Sequence, residues 1–152
     1  MTETLSVAPT TFSKSNTGFA LARVKFTRFH VMVTTPEELT AALDQFVGSE
    51  NQYKHWLGIR YTDGVKYLAT TAKAYWLIDA IASHQNRRLL SNPRLLEFQI
   101  WRLAVENSSA TLICSEDTDI EVRRQSIEYT DFPLPEITLY LADKVLMLVS
   151  EY

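Results

Sequence analysis

The chain has little of several residues that mark particular classes of protein. Its 152 residues include one cysteine, Cys114, which excludes an internal disulfide and a zinc site built on cysteines. Because Cys114 ends the apolar run 110–114, we expect it to be a small buried hydrophobic residue rather than a nucleophile. No apolar run approaches the ~18 residues that a membrane-spanning helix needs. The sequence therefore predicts a cytoplasmic protein.

Glycine is also scarce, and this bears on cofactors. Four glycines are few for the backbone loops that hold phosphate groups. The chain has no Gly-x-Ser-x-Gly, P-loop or Gly-x-Gly-x-x-Gly motif. We therefore expect no cofactor, and the sequence offers no cluster of metal ligands.

The residues that are present have the proportions of an ordinary globular domain, with 46% apolar and 22% charged. Charge is unevenly distributed along the chain. Residues 1–31 contain four basic residues and one acidic residue, a charge of +3, whereas the whole chain carries −3, so the remainder carries −6. An acidic body repels phosphate backbones, which makes nucleic acid an unlikely partner.

Composition divides the chain into an extension, residues 1–34, and a single domain, residues 35–152. The Ser/Thr-rich residues 1–18 lack periodicity, which predicts disorder, and residues 19–33 alternate weakly, as an edge strand would. The basic, acid-poor composition is superficially that of a transit peptide. Translation starting at Met32 is the simpler alternative, and whether residues 1–31 are translated stays open.

The first helix is predicted from Pro36 to Val47. Thr35 and Glu38 have the spacing of a capping box, with proline at the first helical position. Gly48 is expected to end the helix.

A second helical pattern follows an aromatic stretch, residues 53–61. It runs from Val65 to about His84, with Asp63 as its expected N-cap and a possible break near residues 70–73. Residues 86–93 are predicted to form a polar, basic connection.

The pattern changes to alternating apolar and polar residues from Arg94 onward. Short polar joins separate five predicted strands, near residues 96–101, 111–115, 120–129, 137–141 and 145–149. We therefore predict an α+β fold, with N-terminal helices packed on one face of a C-terminal antiparallel β-meander of about five strands.

Asp79 is the leading candidate for a functional side chain. It is the only charged residue in the apolar segment 74–82, which predicts a core helix and a buried carboxylate that needs a partner. In a structural role, Asp79 would bond to Trp56 or Tyr61, or pair with Lys54 or Arg60. In a functional role, it would line a pocket with His55 and Tyr75 and would have a raised pKa.

The remaining histidine of this region, His84, is a further catalytic candidate. It lies about 140° around the helix from Asp79, so the two cannot bind one metal ion from an unbroken helix. The spacing is therefore evidence against a metal site. Apart from these catalytic candidates, the aromatic side chains form a candidate binding surface, made by Tyr53, Trp56, Tyr61 and Trp76.

Two stretches resemble a family of small bacterial proteins known only as a domain of unknown function. They are residues 48–85, which include YTDGVKYLA and AYWLIDAIASHQ, and residues 130–152, which end in Ser-Glu-Tyr. Such proteins occur in cyanobacteria and proteobacteria, often on plasmids and other mobile elements. The resemblance covers roughly residues 35–152 and implies no activity. The chain departs from it at Val149, where proline is expected, and at Asp143-Lys144, where Asp-Gly is common.

Three functions are compatible with these residues. The first is a non-enzymatic binding or accessory module that acts on another protein or on itself, since nucleophile, cofactor and metal motifs are all lacking. The second is a small hydrolase or lyase that uses Asp79 with His55. The third is a nucleic-acid-binding accessory protein, which the acidic body disfavours.

Overall fold

The computed structural model of the chain describes residues 35–152. The predicted extension, residues 1–34, lies outside the described residues, together with its possible edge strand and the alternative start at Met32.

The first helix, α1 (Pro36–Leu43), begins as predicted. The Oγ1 of Thr35 accepts a hydrogen bond from the backbone N–H of Glu38, and the Glu38 carboxylate accepts one from the N–H of Thr35. The helix ends four residues earlier than predicted. The N–H groups of the next residues, Gln45 and Phe46, bond to carbonyls three residues back, which is the tightened geometry of a helix end.

The second predicted helix is two helices, α2 (Asp63–Thr71) and α3 (Tyr75–Ser83), and the predicted break is confirmed. Between them Lys73 has a left-handed backbone with a φ of 54°, which stops the helical path. The N-cap prediction was wrong. Thr62 caps α2 through its Oγ1, which accepts from the N–H of Val65 at 3.3 Å, and Asp63 is the first helical residue.

The predicted polar connection at residues 86–93 was also wrong, because it contains short helices. They are α4 (Arg87–Leu90) and α5 (Pro93–Glu97), of which α5 begins at the end of the connection and extends into the first predicted strand. Each is capped by an asparagine, Asn86 or Asn92, whose side-chain oxygen accepts from a backbone N–H at 3.0 Å. No described helix is long and apolar enough to cross a membrane.

Seven strands form one sheet in the described part of the chain. In addition to the five predicted C-terminal strands, the sheet contains two short strands from the aromatic stretch. In chain order they are β1 (Gln52–Lys54), β2 (Arg60–Thr62), β3 (Phe98–Glu106), β4 (Ser109–Asp117), β5 (Ile120–Ile127), β6 (Glu136–Ala142) and β7 (Val145–Leu148). The α+β class is therefore confirmed, with more strands than predicted.

The prediction of an antiparallel meander was wrong in two respects. The strand order is β1-β2-β7-β6-β3-β4-β5, so β6 pairs with β3 and not with its chain neighbour β5, as in a Greek key. The pair β2–β7 is parallel, which makes the sheet mixed. The connection from β5 to β6 buries Phe132 and Leu134 and so packs into the core instead of forming a tight turn.

The core is formed by alternate residues of the central strands. Along β3 the buried positions are Gln99, Trp101 and Leu103, and they share one apolar cluster with buried residues of α1, α2 and α3. Cys114 is fully buried, as predicted, and burial raises the pKa of its thiol to about 12.

Gln99 is a polar residue within this core, and its amide is fully bonded. Its Nε2 donates to Gln85 Oε1 at 2.7 Å and to the carbonyl of Leu95 at 2.8 Å. Its Oε1 accepts from Gln85 Nε2 at 2.9 Å and from Trp101 Nε1 at 2.8 Å. This network ties the segment after α3 to α5 and β3.

Candidate functional site: the tip of the β1–β2 hairpin

The turn between β1 and β2, residues 55–59, is held by hydrogen bonds centred on His55. The backbone N–H of His55 donates to the carbonyl of Ile59 at 2.8 Å, and the N–H of Gly58 donates to the carbonyl of His55 at 2.9 Å. The N–H of Leu57 donates to the ring nitrogen Nδ1 of His55 at 3.0 Å. The backbone and the side chain of one residue, His55, therefore fix the turn, and we call residues 55–59 the hairpin tip.

The second ring nitrogen of His55 contacts Asp79. The distance from Nε2 to Oδ1 is 2.6 Å, and the His55 side chain is only 7% exposed. Because a backbone N–H can only donate, Nδ1 must act as an acceptor, so the ring proton lies on Nε2 and is donated to Asp79. Both nitrogens of His55 are therefore engaged, and the contact joins the hairpin tip to α3.

The prediction that Asp79 is buried was wrong. Its side chain is 62% exposed. The buried face of α3 is formed by Leu77, Ile78, Ile81 and Ala82, so α3 is apolar all around in sequence but buried on one face only. Of the neighbours weighed for Asp79, the structure brings His55 into hydrogen-bond contact with it.

The other two catalytic candidates lie in separate environments. The hydroxyl of Tyr75 is 3.0 Å from Oγ1 of Thr70, and Tyr75 is 43% exposed. The Nε2 of His84 is 2.8 Å from Oε1 of Gln125, and its ring packs on Trp101 with centroids 5.4 Å apart. Among the described residues, no group of three or more His, Cys, Asp or Glu side chains is placed to hold a metal ion.

Of the aromatic binding candidates, Trp56 is the one that projects into solvent. It is 84% exposed at the hairpin tip, and its ring stacks on that of His55 at 5.8 Å between centroids and 24° between planes. The next residue, Leu57, is 40% exposed and was not singled out by the sequence. Its apolar character beside a tryptophan in a turn was the signal that could have identified it.

Tyr53 and Tyr61 face each other across β1 and β2, with ring centroids 5.6 Å apart. The hydroxyl of Tyr53 donates to the carboxylate of Asp63 at 2.7 Å, and Nζ of Lys66 lies 4.2 Å from the centre of the Tyr53 ring. The Tyr53 hydrogen bond, with a weaker one from Asn51, lowers the pKa of Asp63, and the same bond raises the pKa of Tyr53. Burial raises the pKa of Tyr61. These groups hold the hairpin in shape.

The base of the hairpin is fixed by Glu151, which sequence reasoning missed. One carboxylate oxygen accepts from Oγ1 of Thr62 at 2.6 Å and from the N–H of Leu148 at 3.0 Å, and the other accepts from the hydroxyl of Ser49. The terminal Ser-Glu-Tyr was the relevant signal. The hairpin is thus held at its base by Glu151 and at its tip by Asp79.

The fourth aromatic candidate, Trp76, is partly buried and packs against the core. It lines an open groove between α3 and the strand β5, where Asp79 and Ile127 are also found. This groove is a concave surface with a volume of about 720 Å³, and it shares Asp79 with the attachment of the hairpin tip.

The comparisons with known proteins bear on family membership alone. Neither the comparison with curated proteins nor that with solved structures gave a match. A model of a family of unknown function, DUF6876, matches residues 37–152, which include the whole hairpin and both of its attachments. The chain therefore belongs to the family DUF6876.

Proposed function

We propose that the chain is a non-enzymatic, cytoplasmic binding module that docks on a partner protein through the hairpin tip. The observation that carries this proposal is the exposure of Trp56, 84%, on a turn in which three backbone N–H groups, those of His55, Leu57 and Gly58, are hydrogen-bonded. An exposed tryptophan is unfavourable in water, and tryptophan is among the residues that most often dominate binding energy at protein interfaces.

The attachments of the hairpin support this function because they restrain the tip before any partner arrives. His55 supports the ring of Trp56 from one side and is itself bonded to Asp79 and to the N–H of Leu57. A side chain that is already ordered loses less conformational entropy on binding than a free one. The His55–Asp79 contact is, on this proposal, a positioning device for Trp56.

The contact also favours a second candidate, a small hydrolase or lyase, since a histidine 2.6 Å from a carboxylate is a common catalytic pair. The geometry weighs against it at one point. A histidine base needs a free ring nitrogen, and in this chain Nδ1 is occupied by the N–H of Leu57. Turnover by the partner-free chain that is lost in Asp79→Asn, with folding retained, would establish this second function instead.

Site-specific photo-crosslinking in the producing cell tests the docking proposal. A photoreactive phenylalanine analogue is placed at Trp56 and, as a matched control, at Val47, which is 79% exposed on a different loop. We expect one abundant protein adduct from position 56 and none from position 47, with mass spectrometry to identify the partner. Equal adducts at the two positions, or no adduct at either, would contradict the proposal. An adduct at position 56 that nuclease treatment removes would indicate that the partner is a nucleic acid.

The identified partner then allows a quantitative test. Removing a central interface tryptophan typically costs about 2 kcal/mol or more, so Trp56→Ala should weaken binding by roughly 30-fold or more. Val47→Ala should leave the affinity unchanged. An affinity that is equal in both variants would exclude the hairpin tip as the docking site.

A further inference from the structure

The sheet has one long free edge among the described residues, the strand β5 (Ile120–Ile127). It pairs with β4 only, whereas the opposite edge of the sheet is the three-residue strand β1. The β3–β4 hairpin closes on the pair Glu106–Ser109, whose backbone groups bond to each other, so those of Ala110 point the other way, toward Ile127 of β5. Backbone groups alternate in direction along an antiparallel strand. The N–H and C=O groups of Ile127 therefore point toward β4, and those of residues 124 and 126 point away from it.

A groove runs beside this edge. Apolar side chains of Trp76, Ala80 and Ile127 line it beside the unpaired backbone of β5. Charged side chains, those of Lys73, Asp79 and Asp131, also line it. Free backbone groups at a sheet edge, next to a groove that can take side chains, are the features that bind peptides in an extended conformation.

Arg123 supplies a charge that needs a partner. It lies opposite Cys114 in the ladder, on the inner face of the sheet, and its Nε is buried without a hydrogen-bond acceptor among the described residues. Its neighbour Arg124 is already paired, with two hydrogen bonds of 2.7 and 2.8 Å to Glu121. Arg123 is therefore the group on β5 that a carboxylate of a ligand would complement.

We propose that β5 binds an extended segment of a partner protein as an eighth, antiparallel strand. On the inner face of the sheet, the side chains of that segment follow the order apolar, polar, acidic, opposite Ile127, Gln125 and Arg123 respectively. A second copy of this chain that pairs about a two-fold centre at Arg123 or Arg124 would place like charges directly opposite each other, whereas a partner segment can offer an acidic residue there. The groove shares Asp79 with the attachment of the hairpin tip, but the backbone groups of β5 that bind the segment lie outside that tip.

A seven-residue peptide, acetyl-Ser-Val-Thr-Thr-Thr-Glu-Ser-amide, is the probe. Its valine, central threonine and glutamate match the positions opposite Ile127, Gln125 and Arg123. We expect saturable amide shifts in NMR spectra of the full chain, centred on β5. The same peptide with lysine in place of glutamate should bind about tenfold more weakly or worse, since a charge-assisted bond is lost.

Two protein variants isolate the backbone contribution. Ser126→Pro removes an N–H that points to solvent, which an edge strand tolerates, and should abolish binding. Ser126→Ala keeps the N–H and should bind like the wild type, as should Trp56→Ala, which alters only the hairpin tip. If Ser126→Pro fails to fold, N-methylation of the peptide replaces it. A methyl on its first threonine, opposite Ser126, should block binding, and one on the central threonine should not.

Several results would overturn the proposal. They are equal binding of the glutamate and lysine peptides, binding that survives both Ser126→Pro and the blocking N-methyl group, and shifts that lie away from β5. A wild-type dimer that becomes monomeric in Ser126→Pro, measured by light scattering, would assign the edge to a second copy of the chain instead.

Discussion

Replacing Gln99 by methionine removes the buried amide while keeping a side chain of similar shape. Gln99 is 1% exposed and makes four hydrogen bonds, so methionine leaves several groups without partners. Two of them, Nε1–H of Trp101 and the carbonyl of Leu95, belong to buried residues and cannot reach water. The amide of Gln85 is only partly buried and can be rehydrated.

The magnitude follows from the groups left unbonded. A buried donor or acceptor without a partner costs about 1–3 kcal/mol, so the two together predict a loss of about 2–6 kcal/mol in the free energy of unfolding. For a chain of this size that corresponds to a decrease in Tm of roughly 5–20 °C. A double-mutant cycle sharpens the test. Trp101→Phe removes the unbonded N–H, so it should cost about 1 kcal/mol less in the methionine background than in the wild type.

Urea unfolding followed by tryptophan fluorescence and circular dichroism measures all four proteins of the cycle, with an unchanged m-value as the check on two-state behaviour. A folded Gln99→Met variant that loses less than about 1 kcal/mol would refute the reasoning, because that is the least a single buried unbonded group should cost. Strict additivity in the cycle would show that Trp101 does not depend on Gln99.

Three further predictions concern single groups. A Cβ at Gly64 would lie 2.6 Å from Oε1 of Glu151. Gly64→Ala should therefore lower the free energy of unfolding, measured by chemical denaturation, by about 1–3 kcal/mol, although alanine has the higher helix propensity. A stabilised variant would contradict the close packing. The hydrogen bond from Tyr53 lowers the pKa of Asp63, so its contribution is present above the unfolded pKa of about 3.9 and is lost as pH falls through the lower folded value. The stability difference between wild type and Asp63→Asn, measured by urea unfolding from pH 6 to about 3, should therefore shrink with acidification, and a constant difference would refute it. Cys114, with its thiol pKa raised to about 12, should resist alkylation at pH 8 in the native protein and react fully in denaturant, as followed by intact mass.

Features that depend on residues close together in the chain were predicted correctly. The capping box depends only on Thr35 and Glu38, which are three residues apart in the chain. The helix break near Lys73 and the five C-terminal strands likewise follow from local sequence patterns. One local error was a choice between adjacent candidates. Thr62 and Asp63 are both good capping residues, and Tyr53 and Asn51 engage Asp63, which leaves the cap to Thr62.

Features that depend on distant contacts could not be predicted in this way. The strands form a Greek key and not the predicted meander, because the segment after β5 buries Phe132 and Leu134 and brings β6 beside β3. The pattern of strands in the sequence does not tell whether β6 pairs with β5 or with β3. The two short strands β1 and β2 are likewise stabilised from outside, by pairing with β7 and by the carboxylate of Glu151.

The sequence by itself determined the fold class, most of the helix and strand positions and the burial of Cys114, because capping, periodicity and hydrophobicity act over a few residues. Only the tertiary structure decided that Asp79 is exposed and bonded to His55, and that Trp56 projects from a restrained tip. Residues 55 and 79 meet through the packing of the hairpin against α3. An apolar helix can bury one face or all of its faces, and that depends on what packs against it.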